Sequence, residues 1–393
     1  MGGDGGGAGG RPYKVPLVPG PTASRDVKAL HDAYPSPDLS PAFSDLYAMT
    51  QRQLRRLLHA RDDITPVVQI GEGLMSLWGA LKSVVHFKPI SVTSGGTVSA
   101  AFRRRTRVLC VANGLYGEGF ADMARSLGDH LVDVHVVLFP ATSAIDVSAV
   151  SSAAREFRPD VITAVHCDTP TGLLNPADVM RALGALAAEH NALFIVDFVS
   201  SAGGAVVDIT DWNVDLGCLG SQKVLGLPPT LAVATVSPRA WERIHDVGYA
   251  GYDGLLQWEG VGQDGKVAPY THWWQGVAAL HDVLVNLNLN DMVKRHNAAR
   301  QYVLQRGAAM GLGLFVDDPS LSSPTCTAFR VPAGVSWATM NHKLVHEHGV
   351  GLGGSYGEFE GNVFRIGHMG YLQTDLKALQ AGMDAVERVL NEL

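Results

Sequence analysis

Through the middle of the chain, short apolar runs alternate with stretches whose apolar residues recur every three or four positions. That alternation is the pattern of βαβ units around a mainly parallel sheet. Val67-Val68-Gln69-Ile70 predicts a strand that stops at Gly71-Glu72-Gly73, and Leu74, Leu77, Trp78, Leu81 and Val84-Val85 follow with helical spacing. Further strands are predicted over 108–112, 134–138, 161–165, 193–196, 214–219 and 231–236.

From about residue 280 the texture changes. Two helical patterns, 277–287 and 292–310, precede a strand over 325–331, a helix over 337–348, a strand ending at Arg365-Ile366 and an amphipathic helix over 374–393. This α+β tail reads as a second, smaller domain. The predicted division is a Gly-rich leader over 1–12, a large domain with an N-terminal arm over 13–275, and a small C-terminal domain over 276–393. One stretch does not fit: residues 90–105 are low in complexity and end in Arg103-Arg104-Arg105. That is far more than a helix-to-strand link needs, so it reads as an inserted solvated loop, with a basic patch for a partner as the alternative.

Composition narrows the possibilities. The 393 residues suit one large core plus a smaller one, and 46% hydrophobic with 18% charged residues is ordinary for a soluble globular protein. A net charge of -7, spread along the chain, leaves no footprint for nucleic acid. Cys110, Cys167, Cys218 and Cys326 form no CxxC pair, which argues against a zinc site or a disulfide framework and reads as buried small hydrophobes in a reducing compartment. No apolar run approaches a membrane span, the leader lacks the apolar core of a signal peptide, and Asn391-Glu392-Leu393 is not a peroxisomal address. The leader reads as disordered and the expected compartment is the cytoplasm.

Asp197 follows four apolar strand residues, and Lys223 follows the next apolar run in Gly220-Ser221-Gln222-Lys223. Both are therefore placed at strand ends, where open α/β sheets bind their ligands. An acid and an amine projecting from neighbouring strand ends meet the needs of pyridoxal 5'-phosphate (PLP): the acid keeps the pyridine nitrogen protonated and the amine carries the ring. Lysine serves here because it loses its proton when desolvated and arginine does not. On spacing alone, an ion pair at the sheet edge is an equal alternative. Gly71-Glu72-Gly73 offers backbone N–H groups and a helix N-terminus to a phosphate, although such turns are common. Thr169 lies in a polar string at another strand end, Tyr116 can lay its ring on a planar group, and Arg365 can clamp a carboxylate. Each has an ordinary structural reading of its own.

Together these residues resemble the class V aminotransferases of the alanine–glyoxylate and serine–pyruvate type, over nearly the whole chain. The most specific pieces are the string from Val196-Asp197 to Gly203-Gly204, then Gly220-Ser221-Gln222-Lys223 with Pro228-Pro229, supported by Val18-Pro19-Gly20-Pro21, Pro332-Ala333-Gly334 and Arg365-Ile366-Gly367. The resemblance implies the PLP-transferase fold of type I and a homodimer with shared sites. It also implies ping-pong transfer of an amino group from a small amino acid to glyoxylate or pyruvate.

It further implies roles for single residues. Lys223 is the Schiff-base lysine and proton shuttle, Asp197 the partner of the pyridinium, and Val199 and Tyr116 the two ring faces, Tyr116 standing where the family usually has Trp. Gly71, Glu72, Gly73 and Gln222 hold the phosphate, Thr169 contacts the cofactor, Tyr270 and Thr271 reach a partner's phosphate, and Arg365 binds the substrate carboxylate. Three positions depart from the pattern. Glu72 brings a negative charge to the phosphate loop, Trp273 stands where a Thr is expected, and 35–43 lacks a His-Arg pair. A PLP lyase, a cysteine desulfurase, or a relative without catalysis are the competing expectations.

Overall fold

The computed structural model describes residues 14–20, 39–86, 90–94, 97–101 and 104–393. The leader expected over 1–12, Arg103 and residues 35–38 of the stretch 35–43 lie outside them.

In chain order the elements are β1 (Val15–Pro16), α1 (Pro41–Leu57), β2 (Thr65–Ile70), α2 (Gly73–Val84), β3 (Ile90–Ser94), β4 (Thr97–Ala101), β5 (Thr106–Ala112), α3 (Leu115–Ser126), β6 (Val132–Leu138), α4 (Val147–Phe157) and β7 (Val161–Val165). The short pair β8 (Cys167–Asp168) and β9 (Leu173–Leu174) precedes α5 (Ala177–Glu189), β10 (Leu193–Asp197), β11 (Leu216–Gly220), β12 (Leu231–Val236) and α6 (Pro238–Val247). The tail holds α7 (Trp274–Asn286), α8 (Leu289–Ala309), β13 (Cys326–Arg330), α9 (Trp337–His346), β14 (Val350–Gly351), β15 (Gly353–Gly354), β16 (Val363–Gly367), α10 (Gly370–Gln373) and α11 (Leu376–Glu392).

Seven strands form one sheet in the order β2-β12-β11-β10-β7-β5-β6. Its neighbours pair parallel except at β12, which runs against both β11 and β2. Every residue of β7, β10, β11 and β12 is buried, as expected of strands covered on both faces. The predicted α/β architecture with a mainly parallel sheet is therefore the observed one.

The stretch over 90–105 corrects the expectation of a loop. β3 and β4 pair antiparallel, from Ile90 with Ala101 to Ser94 with Thr97. Ile, Val and Thr suit a strand. The residues of the second strand are too small for hydrophobic alternation to reveal it. Beyond the hairpin, Arg104 closes onto Asp160 through two hydrogen bonds of 2.8 and 2.5 Å.

Apolar side chains gather into two main cores. The larger surrounds the seven-stranded sheet. The second joins Val303, Phe329, Leu344, Phe364 and Val386 of the tail with Leu17 from the N-terminal arm. The arm reaches it because β1 pairs parallel with β14, Val15 opposite Val350. Pro19 and Gly20 are thereby carried over the carboxyl edge of the large sheet.

Candidate active site

Asp197 is the last residue of β10, and Lys223 lies three residues beyond the end of β11, the adjacent parallel strand. The two line one cavity of about 320 Å3 with Glu72, Tyr116, Val199, Gln222 and Arg365. The position is the carboxyl edge of the sheet, where the sequence placed it.

Asp197 is buried, and its Oδ1 accepts a hydrogen bond from the Val199 N–H at 2.7 Å. Burial pushes its carboxyl up to about 7, against the opposing pull of that hydrogen bond and of Lys223. Lys223 Nζ donates to the Pro19 carbonyl at 3.4 Å. Burial first, and the Arg365 charge second, push this amine below its ordinary range. Gly20 allows the close approach: a Cβ there would fall 2.5 Å from Lys223 Cδ, and its φ of 72 is left-handed. Among the described residues Asp197 thus has no ion-pair partner, and Lys223 is an amine biased toward its neutral form. A protonated pyridine nitrogen supplies the missing cation, so the pair fits a ring of the pyridoxal type.

The walls fit a planar ring as well. Val199 packs under the first turn of α2, where a Cβ on Gly73 would lie 2.6 Å from Val199 Cγ2. Tyr116 stands on the first turn of α3, its N–H donating to Asp168 Oδ1 at 3.0 Å. Asp168 is fully buried, and its Oδ2 accepts from the Thr171 hydroxyl at 2.9 Å, so it fixes the turn that aims Tyr116. Burial, helped by Asp197 and Asp168, pushes the Tyr116 phenol up to about 12.

The phosphate end differs. Glu72 is the N-cap of α2, but its side chain makes no capping bond. Its Oε2 instead accepts from Gln222 Nε2 at 3.0 Å, and the carboxylate lines the cavity. The Gly71 N–H donates to the Thr230 carbonyl at 2.9 Å, so it is engaged in the sheet. A phosphate dianion here would face a carboxylate. Two unit charges 4 Å apart near a protein surface repel by about 4 kcal/mol, whereas a helix N-terminus returns at most about 2 kcal/mol. The ring of PLP fits these residues, and Glu72 opposes its phosphate.

Arg365 reaches the cavity from β16 and is 2% exposed. Its Nε donates to the Gly354 carbonyl at 2.7 Å and Nη1 to the Thr169 carbonyl at 3.3 Å, with Nη2 also on Gly354. Among the described residues no carboxylate stands within ion-pair distance of it. A buried cation met by carbonyl oxygens and by no carboxylate is suited to receive an anion.

Other predicted residues are displaced from the cavity. The Thr169 hydroxyl lies behind the wall and is bonded to the Ser200 hydroxyl, and it is Ser200 that lines the cavity. Tyr270 and Thr271 sit in a separate cleft with Tyr252, whose ring lies 4.6 Å from that of Tyr270. Sequence reasoning missed Ser200, Asp168 and Tyr356. Asp168 directly precedes Thr169 and Ser200 directly follows Val199, so each is a sequence neighbour of a predicted site residue. Tyr356 follows Gly353-Gly354-Ser355, which carries no signal.

The four cysteines are buried, and burial pushes the thiols of Cys326 and Cys167 up to about 11 and about 12. These are not the exposed thiols a desulfurase needs. No group of metal ligands occurs among the described residues, and none of their helices is long and apolar enough to cross a membrane.

The sequence profile described as aminotransferase class-V matches residues 121–357. The chain is 32% identical to the pyridoxamine–pyruvate transaminase of Mesorhizobium japonicum over 368 residues, 90% of this chain and 87% of that one. The crystal structure of pyridoxamine–pyruvate aminotransferase from Mesorhizobium loti superposes with a TM-score of 0.85 at 28% identity, covering 97% of this chain and 92% of that one. An alanine–glyoxylate aminotransferase from Nostoc superposes with a TM-score of 0.86 at 26% identity, covering 98% and 97%. A profile match over more than half of the chain, on a fold whose adjacent strand ends carry Asp197 and Lys223, places it in the class V aminotransferases: the chain belongs to that pyridoxal-phosphate-dependent family and is a transaminase.

Proposed function

We propose that this transaminase takes its amino group from pyridoxamine, the unphosphorylated ring amine, and delivers it to a small 2-oxo acid such as pyruvate. The observation that carries the reading is the Glu72 carboxylate at the N-cap of α2, on the cavity that Asp197 and Lys223 line. In place of the phosphate, pyridoxamine has a hydroxymethyl group. An O–H donated to a carboxylate stabilises by about 1.5–3 kcal/mol, so Glu72 attracts one ring and repels the other. The relative from Mesorhizobium japonicum is named for the same pair of reactants.

The residues divide the work. Asp197 holds the proton on the ring nitrogen, and the ring then supplies the electron sink. Lys223 Nζ moves the proton between the ring's exocyclic carbon and the Cα of the acid. Tyr116 and Val199 hold the ring flat, and Arg365 takes the acid's carboxylate. A second reading keeps PLP as resident cofactor and an amino acid as donor. It is favoured by the open N-terminus of α2 and the nearby Gln222 amide, both suited to a phosphate.

The test is a rate measurement with varied pyridoxamine and pyruvate. Our reading expects pyridoxal and alanine to form, with intersecting initial-rate lines because both reactants are bound together. Turnover confined to amino acid and glyoxylate, with PLP required and parallel lines, favours the second reading and the ping-pong course.

We also propose that the chain divides near residue 275 and that the protein is cytoplasmic. A third proposal is a homodimer in which Tyr270 and Thr271 serve the partner's site, supported by their lining a cleft separate from the cavity of their own chain.

A further inference from the structure

We propose that Tyr356 sets the size of the oxo acid and the pose of its carboxylate by lying on Arg365 at the mouth of the cavity. The inference rests on the reading of Arg365 as the carboxylate receptor. Tyr356 is 55% exposed, yet its ring centroid lies 4.7 Å from the Arg365 guanidinium carbon, and it lines the cavity. A half-exposed aromatic adds little to a core, so its placement calls for another explanation.

The segment that presents Tyr356 is fixed at several points. Gly354 supplies the carbonyl that receives Arg365, and the Ser355 hydroxyl donates to the Pro170 carbonyl at 2.8 Å. Gly357 then turns the chain with a φ of 59, and a Cβ there would meet Leu115 at 3.2 Å. The backbone that carries the ring is therefore fixed beside the first turn of α3, and Tyr116 on that turn lines the same cavity.

This placement restricts how an acid can bind. A guanidinium has five N–H groups. Three point at the carbonyls of Gly354 and Thr169, leaving one on each terminal nitrogen. Tyr356 covers one face, so a carboxylate must approach in the guanidinium plane and engage both remaining N–H groups side by side. The same ring closes the space beyond the acid's Cα. Glyoxylate and pyruvate fit that description, and acids with a bulky side chain do not.

Kinetics of three variants with pyruvate and phenylpyruvate test the proposal. Tyr356→Ala is expected to raise the pyruvate KM on the order of threefold to tenfold, the scale of a lost cation–π contact, with kcat within about twofold. It is also expected to raise the phenylpyruvate-to-pyruvate ratio of kcat/KM by about tenfold or more, as one ring's bulk in a pocket allows. Tyr356→Leu, which keeps bulk but has no π face, should raise the pyruvate KM and leave the ratio in place. Tyr356→Phe should keep both. A Tyr356→Ala enzyme with an unchanged ratio, or a Tyr356→Phe enzyme that matches Tyr356→Ala, overturns the proposal. Failure of the carboxylate reading is distinguishable, because Arg365→Lys would then leave the pyruvate KM unmoved whatever Tyr356 does.

Discussion

Gln222 Nε2 donates to Glu72 Oε2 across 3.0 Å, tying the loop that carries Lys223 to the N-cap of α2. The contact sets a carboxylate, held by an amide, on the cavity that Asp197 and Arg365 also line. The site thus presents an acceptor for a hydroxyl, an acceptor for a ring N–H and a receptor for a carboxylate.

Replacing Glu72 should therefore exchange ring preferences. Glu72→Ser removes the repulsion and leaves a hydroxyl that can donate to phosphate. Losing a charged hydrogen bond of about 1.5–3 kcal/mol weakens pyridoxamine by roughly tenfold to a hundredfold. Titration of the variant with pyridoxal and with PLP, followed by ring absorbance, should show PLP binding tightened at least about tenfold.

Arg365→Lys keeps the charge but loses the planar fork. The pyruvate kcat/KM should fall about a hundredfold, while pyridoxal binding changes less than about threefold. Equal losses in both would mean that the residue supports the whole cavity and not the acid alone.

Asp197 gives a pH signature in the ligand-free protein. Its folded carboxyl lies near 7, above the ordinary value of 3.8, so the folded state binds that proton more tightly than the unfolded chain. The stabilisation is present below about 4 and is lost as pH rises to about 7, amounting to roughly 4 kcal/mol at the most. Lys223 is shifted down from 10.5 and acts with the opposite slope, below that value. Thermal unfolding at pH 5 and pH 8 should show wild type losing stability relative to Asp197→Asn on going to the higher pH. A constant difference between the two proteins would contradict the assigned shift.

Gly73→Ala places a Cβ 2.6 Å from Val199 Cγ2. Overpacking of this kind costs about 1–3 kcal/mol. Because Val199 forms a ring wall, pyridoxal affinity should fall together with the melting temperature. Gly119, whose Cβ would meet nothing within 4 Å, provides the control substitution to Ala.

Much of this site was legible because chemistry interrupts pattern. Asp197 and Lys223 stand out as charges straight after apolar strands, and the parallel order β10–β11 then brings them together. Glu72 was visible as the wrong charge in a phosphate loop. What stayed hidden depends on contacts between distant segments. Tyr356 matters only because Arg365 leaves β16 beneath it, and no local spacing encodes that meeting. Thr169 carried the expected hydroxyl, but Ser200 lies close enough to take it. The β3–β4 hairpin was obscured by small residues, whose strand preference shows only once they are paired.

The most direct measurement is the affinity of the ligand-free protein for pyridoxal and for PLP, read from the absorbance of the ring joined to Lys223, with Lys223→Ala as the blank. The account predicts saturable binding of pyridoxal at least about tenfold tighter than that of PLP, and no such band in Lys223→Ala. Tighter binding of PLP than of pyridoxal by wild type would contradict it.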